Sequence, residues 1–238
     1  MLEDLSILDL RRLASKLNVD TSLSRKEMTL KLSKKLEKIS NDNEKSLKKY
    51  KIKTQLGEKG KEGRTFLVFD KYDCEYAMKR FRSNKSSDKM MEEISLQRRC
   101  SDVGISPKII DFDTTNKYIV MEKMDYHLLD ELSGVLSESR QNELLNIFKK
   151  LDKVAVFHGD ANILNYMIKN NILYIIDFGM SKNIDDQLIK KVGSSKPNYE
   201  LMLLGFILKL KDMNCTPKSY SVLKTHLSEP MRQKYGII

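Results

Sequence analysis

Apolar residues recur at helical intervals near the start of the chain. Leu10, Leu13, Ala14 and Leu17 fall on one helix face, with Ser6 and Asp9 placed to cap it. A second stretch carries Met28, Leu32, Leu36 and Ile39 at the same period. It opens on Ser24-Arg25-Lys26-Glu27, the pattern of a capping box. Asn18 to Leu23 reads as the turn between the two helices. Residues 40 to 51 begin Ser40-Asn41-Asp42-Asn43-Glu44 and continue lysine-rich, which predicts a polar linker and a domain boundary near residue 45.

Beyond Lys51 the period changes. Phe66 to Phe69 and Glu75 to Lys79 read as strands about a turn at Lys71 to Cys74. Ser86 and Ser87 start a helix over 87–102. Ile109-Ile110 and Tyr118 to Met121 are two further strands. Residues 138–153 form a helix with Leu144, Leu145, Phe148 and Leu151 on one face. Tyr166 to Ile168 and Leu173 to Ile176 flank Asn170-Asn171, a hairpin signal. Residues 199–211 are helical and apolar enough to be buried. The expectation is an α+β chain: a helical hairpin over 1–45, a small strand-rich lobe over about 51–124, and a reduced helical lobe over about 125–238.

The 238 residues suffice for one full core and a small appendage, and the 40% hydrophobic content is that of a globular chain. No apolar run approaches the roughly 20 residues of a membrane span. The acidic start, Met1-Leu2-Glu3-Asp4, lacks the basic region of a signal peptide. Cys74, Cys100 and Cys215 have no paired spacing, which argues against disulfides and zinc and for a reducing, intracellular setting. Net charge is +10, and residues 1–54 supply about +6 of it. Such charge suits nucleic acid, an anionic surface or an acidic protein, or else a plain solvated face.

Four kinds of group occur in an order that suits phosphoryl transfer: glycines, a strand lysine, an acid that can orient a hydroxyl, and hard oxygen ligands for a divalent cation. His158-Gly159-Asp160-Ala161-Asn162-Ile163-Leu164-Asn165 places an asparagine five residues after an aspartate. The apolar hairpin follows, and then Asp177-Phe178-Gly179. Upstream stand Tyr76-Ala77-Met78-Lys79 and the run Leu56-Gly57-Glu58-Lys59-Gly60-Lys61-Glu62-Gly63. The chain thereby resembles the protein-kinase superfamily. That resemblance implies a two-lobed kinase-like fold, ATP and Mg²⁺ as cofactors, Asp160 as catalytic base with Asn162 beside it, and Asn165 and Asp177 as magnesium ligands. It implies phosphate contacts from Gly57, Gly60, Gly63 and Lys79, and a carboxylate partner for Lys79. Glu92 and Glu93 both lie on the next helix, and Glu93 is the choice. Ile119-Val120-Met121-Glu122-Lys123-Met124 resembles the inter-lobe segment, with Met121 lining the adenine pocket and the backbones of Glu122 and Met124 pairing with adenine.

The chain departs from the commoner pattern. Gly159 stands where an arginine usually reads a phosphorylated loop, and Asn162 where protein kinases often place a lysine. The glycines follow G-x-x-G-x-x-G rather than G-x-G-x-x-G. No A-P-E follows Gly179, and little chain remains for a peptide-docking subdomain. This compact outline is similar to the atypical kinase subunit of the tRNA threonylcarbamoyladenosine complex. It is also similar to small serine/threonine kinases of large DNA viruses, through Tyr76 to Lys79, Lys85-Ser86-Ser87 and Gly104-Ile105-Ser106-Pro107. A serine/threonine protein kinase in the cytoplasm or nucleus of a host cell is the leading expectation. A small-molecule kinase and an ATPase or pseudoenzyme in a nucleic-acid-linked assembly stand beside it. The two N-terminal helices resemble a SAP-type module, which implies nucleic-acid contact through Arg11, Arg12, Lys16, Arg25, Lys26, Lys34 and Lys35. A hairpin that binds protein is the alternative.

Overall fold

The structure is a computed structural model that describes residues 2, 5–57, 62–132 and 135–237, with the backbone alone over 37–48. The chain divides into two compact units, Met1–Lys51 with Phe69–Asp73, and Ile52–Val68 with Cys74–Ile238.

In the first unit, α1 spans Ile7–Lys16 and α2 spans Arg25–Lys48. The Ser6 hydroxyl accepts the Asp9 amide at 3.1 Å and donates to the Asp9 carboxylate at 2.6 Å. The Ser24 hydroxyl donates to Glu27 at 2.6 Å, and the Glu27 amide returns a bond to it at 3.4 Å. These caps satisfy amides that the first helical turn leaves without partners. Leu10, Ala14, Met28 and Leu32 are fully buried together, as the 3.6-residue period requires. The linker expected over 40–51 is not one: α2 continues to Lys48. Neither glycine nor proline occurs between Arg25 and Lys48, so polar composition alone does not stop the helix.

The second unit begins with a five-stranded sheet in the order β1-β2-β3-β5-β4. Its strands are β1 (Lys51–Leu56), β2 (Gly63–Phe69), β3 (Glu75–Phe81), β4 (Ile109–Asp113) and β5 (Tyr118–Glu122). β1 is an edge strand exposed over nearly its whole length, so it has no apolar alternation to read in the sequence. β3 pairs antiparallel with β5, which sets Lys79 opposite Ile119 and Ala77 opposite Met121. Between β3 and β4 runs α3 (Ser87–Asp102), capped by the Ser86 hydroxyl. Its buried face carries Met90, Glu93, Ile94, Gln97 and Cys100, and the apolar members pack with Phe81 and Ile119 or toward the helical lobe.

The helical lobe follows. A short β6 (Tyr126–His127) leads into the single turn α4 (Leu128–Glu131), then α5 (Glu138–Lys153) and β7 (Val156–Phe157). The hairpin β8 (Tyr166–Lys169) and β9 (Ile172–Ile175) turns at Asn170 and Asn171, both at positive φ. β10 (Lys182–Asn183) pairs back on β7. α6 (Asp186–Val192), α7 (Leu203–Asp212) and α8 (Glu229–Lys234) complete the lobe. A π-turn over Asn198–Met202 opens α7. Phe148, Tyr166 and Phe206 meet edge-on at 5.1 to 6.4 Å in the centre of this core.

Gly63 has a packing reason to be glycine. A Cβ there would lie 2.1 Å from the Arg80 carbonyl oxygen, inside the backbone of the neighbouring strand. Gly63→Ala is therefore expected to destabilise the fold by about 1–3 kcal/mol, read as a lower denaturant midpoint. An unchanged midpoint would contradict the close β2–β3 approach.

Candidate functional site

Three elements of the second unit converge on one ion cluster. The Lys79 ammonium, on β3, lies 2.7 Å from Glu93 Oε1 of α3 and 2.7 Å from Asp177 Oδ1 of the helical lobe. Lys79 is 12% exposed and Glu93 3%, so this pair is held largely out of water. Burial alone would push the Lys79 ammonium down, but the Glu93 and Asp177 carboxylates outweigh it and hold the group well above its ordinary value. Burial likewise works to raise Asp177, and Lys79 overrides it and keeps the carboxyl low. Both groups are charged at neutral pH.

Two residues that the sequence motifs include without a site role belong to this cluster. Lys85 Nζ lies 2.6 Å from Glu93 Oε2 and 3.0 Å from Glu62 Oε2. Glu62 Oε2 is also 3.6 Å from Lys79 Nζ. Glu93 thus gives one oxygen to each lysine. Glu62, Glu93 and Asp177 bring carboxylate oxygens within 4.8 Å of one another, yet the Lys79 ammonium is already the cation among them. Glu92 is exposed on another face of α3.

The loop after β7 is organised by His158, which is completely buried. Its Nδ1 faces the Asp160 carbonyl oxygen at 3.2 Å and its Nε2 the Ile176 carbonyl oxygen at 3.0 Å. The imidazole sits between the backbones that present Asp160 and Asp177, and in its neutral form its single N–H donates to one of these two carbonyls. Its ring packs edge-on against Phe178 at 5.1 Å. Gly159 has φ +79, and a Cβ there would meet the Met180 carbonyl oxygen at 3.2 Å. An arginine at this position would be strained, which gives the departure from the commoner motif a physical cause. Asp177 itself is left-handed, at φ +64, and its side chain accepts the Gly179 amide at 3.4 Å.

Asn165 is buried, and its side-chain nitrogen donates to the Asp160 carbonyl at 3.4 Å. Its own carbonyl accepts the Ile176 amide at 2.8 Å. Asn162 is exposed, and its side chain accepts the Leu164 amide at 3.1 Å, capping the short helical turn Ile163–Asn165. The Asp160 carboxylate accepts the Asn162 amide at 3.1 Å. Asn198, absent from the sequence reading, anchors the loop from below. It accepts the His158 amide at 3.0 Å and donates to Asp152 at 2.7 Å and to the Val156 carbonyl at 2.8 Å. Its signal in the sequence is weak: one asparagine after Pro197, ahead of an apolar helix.

At the far end of β5, Met121 is half-buried and receives a bond from Gln97 Nε2 to its sulfur at 3.7 Å. The Glu122 amide is engaged by the Lys108 carbonyl at 3.0 Å, and Met124 is buried. Gly57 sits at φ +65 with no atom of the described residues within 4 Å of where a Cβ would stand, Gly63 packs on Arg80, and Gly60 lies outside the described residues.

The chain is 26% identical over 142 residues to the KEOPS complex subunit Bud32 of Pyrococcus abyssi. The match covers 50% of this chain and 63% of that protein. The fold is the two-lobed, protein-kinase-like one. Two further relatives are probable bifunctional tRNA threonylcarbamoyladenosine biosynthesis proteins. That of Methanosarcina barkeri is 27% identical over 162 residues, 63% of this chain and 28% of its own length. That of Methanocorpusculum labreanum is 31% identical over 123 residues, 48% of this chain and 22% of its own. The chain spans less than two thirds of each of these three relatives. No family model matches it. Together these similarities support a place in the protein-kinase-like superfamily.

Burial holds the His158 imidazole below its ordinary value of 6.5, against the opposing pull of the Ile176 carbonyl and of Asp177 and Asp160. The unfolded chain therefore binds this proton more readily than the folded one. The contribution to stability is complete above pH 6.5 and is lost as pH falls from there toward the depressed folded value. Thermal midpoints taken between pH 7.5 and 5.5 should fall for the wild type, with a shallower fall for His158→Gln. Equal slopes would contradict a neutral, buried imidazole.

Proposed function

We propose that this chain is an ATP- and Mg²⁺-dependent phosphotransferase whose acceptor is a serine or threonine hydroxyl of a protein. The observation that carries the reading is Lys79, joined at 2.7 Å both to Glu93 and to Asp177. A strand lysine braced by a helix carboxylate is what a nucleotide phosphate needs, since transfer depends on positioning and charge neutralisation. Asp177 is half exposed and keeps its charge, so it offers a hard oxygen to a divalent cation. Asn165 uses its amide nitrogen on the Asp160 carbonyl, which leaves its amide oxygen as the second ligand. Bound there, Mg²⁺ would neutralise charge on the transferring phosphoryl group.

Asp160, held by the His158 and Asn165 contacts to its backbone, is the residue that orients the acceptor hydroxyl and takes its proton. Asn162 supports it as a cap and through its amide. Met121 lines the adenine end. Glu122 and Met124 present backbone there, with the Glu122 amide already spent on Lys108. Gly57 allows a sharp turn near the phosphates, and Gly63 serves mainly to seat β2 on β3.

A second reading is favoured by a specific observation, the similarity to a KEOPS subunit and to tRNA threonylcarbamoyladenosine biosynthesis proteins. In it the same site hydrolyses ATP as part of a tRNA-modifying assembly. The exposed Arg11, Arg12, Lys16, Lys26 and Lys34 of the helical hairpin would suit an RNA backbone.

Labelled ATP offered with a generic protein, RNA and small-molecule hydroxyls separates the two. Label on protein, lowered about 100-fold or more in Lys79→Met and Asp160→Asn while both variants stay folded, supports the kinase reading. Phosphate release stimulated by RNA, with no labelled protein, supports the ATPase instead. Wild-type transfer by either variant would remove that residue from the mechanism.

A further inference from the structure

The Lys79–Glu93 pair leaves Lys85 and Glu62 unexplained. Lys79 and Phe81 lie on the same face of β3, two residues apart. The Phe81 ring carries both ammoniums, Lys79 at 5.2 Å and Lys85 at 4.7 Å from its centroid. Lys85 is 10% exposed, so it is no solvated surface lysine. Besides Glu93, a second carboxylate spans the two ammoniums: Glu62 Oε2, at 3.6 Å from Lys79 and 3.0 Å from Lys85.

Glu62 is placed there by the backbone of the sheet: its carbonyl accepts the Arg82 amide at 2.9 Å. Its carboxylate fills space that any side chain at Gly179 would claim, since a Cβ at Gly179 would lie 2.1 Å from Glu62 Oε2. A carboxylate therefore rests above the Asp177-Phe178-Gly179 turn, in contact with two cations. The cluster carries two positive charges, Lys79 and Lys85, against three negative, Glu62, Glu93 and Asp177. Glu93 is buried and Asp177 is held by Lys79. Glu62, 37% exposed, is the member that torsions of its own side chain can remove without unpairing a strand.

We propose that the gap between Lys79 and Lys85 is an anion seat for the terminal phosphates of a nucleoside triphosphate, occupied by Glu62 when no nucleotide is bound. Lys85 is then a second phosphate-holding lysine, and Glu62 an internal competitor that polyphosphate displaces. With Glu62 withdrawn, two lysines face two carboxylates, and each lysine keeps its own oxygen of Glu93 while taking a phosphate oxygen. The inference rests on the phosphotransferase reading for its ligand, but the seat itself is defined by the anion chemistry.

Titration calorimetry with ATP, adenosine and inorganic tripolyphosphate, each with Mg²⁺ present, tests it on the full chain. Lys85→Met should weaken ATP and tripolyphosphate about tenfold, and Lys85→Arg should restore most of the loss. Glu62→Gln should tighten both several-fold. Adenosine affinity should be the same in all variants, which also reports that they are folded. If ATP binds the wild type and every variant equally, the seat is wrong and the phosphotransferase reading stands. If tripolyphosphate follows this pattern while ATP gains nothing over it, the seat stands and the nucleotide reading falls. If neither ligand binds any form, both are overturned.

Discussion

A lysine ammonium withdrawn from water keeps its charge only if carboxylates replace the solvent, and the second unit is arranged around that requirement at Lys79. Glu93 and Asp177 each meet it at 2.7 Å, one on the helix beside the sheet and one in the helical lobe. Breaking the Lys79–Glu93 contact would unpair two groups held largely out of water, which costs far more than an exposed ion pair returns. The position of α3 and the approach of the Asp177 turn are therefore linked through one nitrogen. The shared oxygens of Glu93 and Glu62 extend the same constraint to Lys85.

The helical lobe holds up its side of this contact with neutral groups. His158 sits between two carbonyls and donates to one of them, Asn165 ties Asp160 to Ile176, and Asn198 ties the whole loop to Asp152 at the end of α5. Burial raises the Asp152 carboxyl, even with three bonds from Asn198 and Tyr199 drawing it down. Bonds of this kind fix one geometry for the loop, because a displaced member would strand a buried polar group. Strain is admitted locally at the left-handed Asp177, where function is proposed, while Gly159 takes its positive φ without strain.

Much of this was legible from residue order. The hairpin around Asn170-Asn171, the helices 87–102 and 138–153, and the buried helix after Pro197 follow from period and turn chemistry. So did Lys79 and Asp177, because a strand lysine and an Asp-Phe-Gly turn are rare in that order. Glu93 is the choice over Glu92 on the resemblance alone, and the buried face of α3 carries Glu93 while Glu92 is exposed. Glu62, Lys85 and Asn198 escaped because an isolated charge or amide has no periodic signature, and their partners lie 8 to 46 residues away. The edge strand β1 and the extension of α2 escaped for the opposite reason. Exposed, lysine-rich sequence reads alike in a linker, an edge strand and a helix, and only the partners available decide between them.

Equilibrium binding of Mg·ATP to the wild type and to Lys79→Met most directly tests the claim that the buried lysine cluster is a nucleotide phosphate site. The account predicts saturable binding that requires Mg²⁺ and is lost in the variant, with the fold of both confirmed by coincident circular dichroism spectra. Equal affinity in the two proteins, or binding indifferent to Mg²⁺, would contradict it.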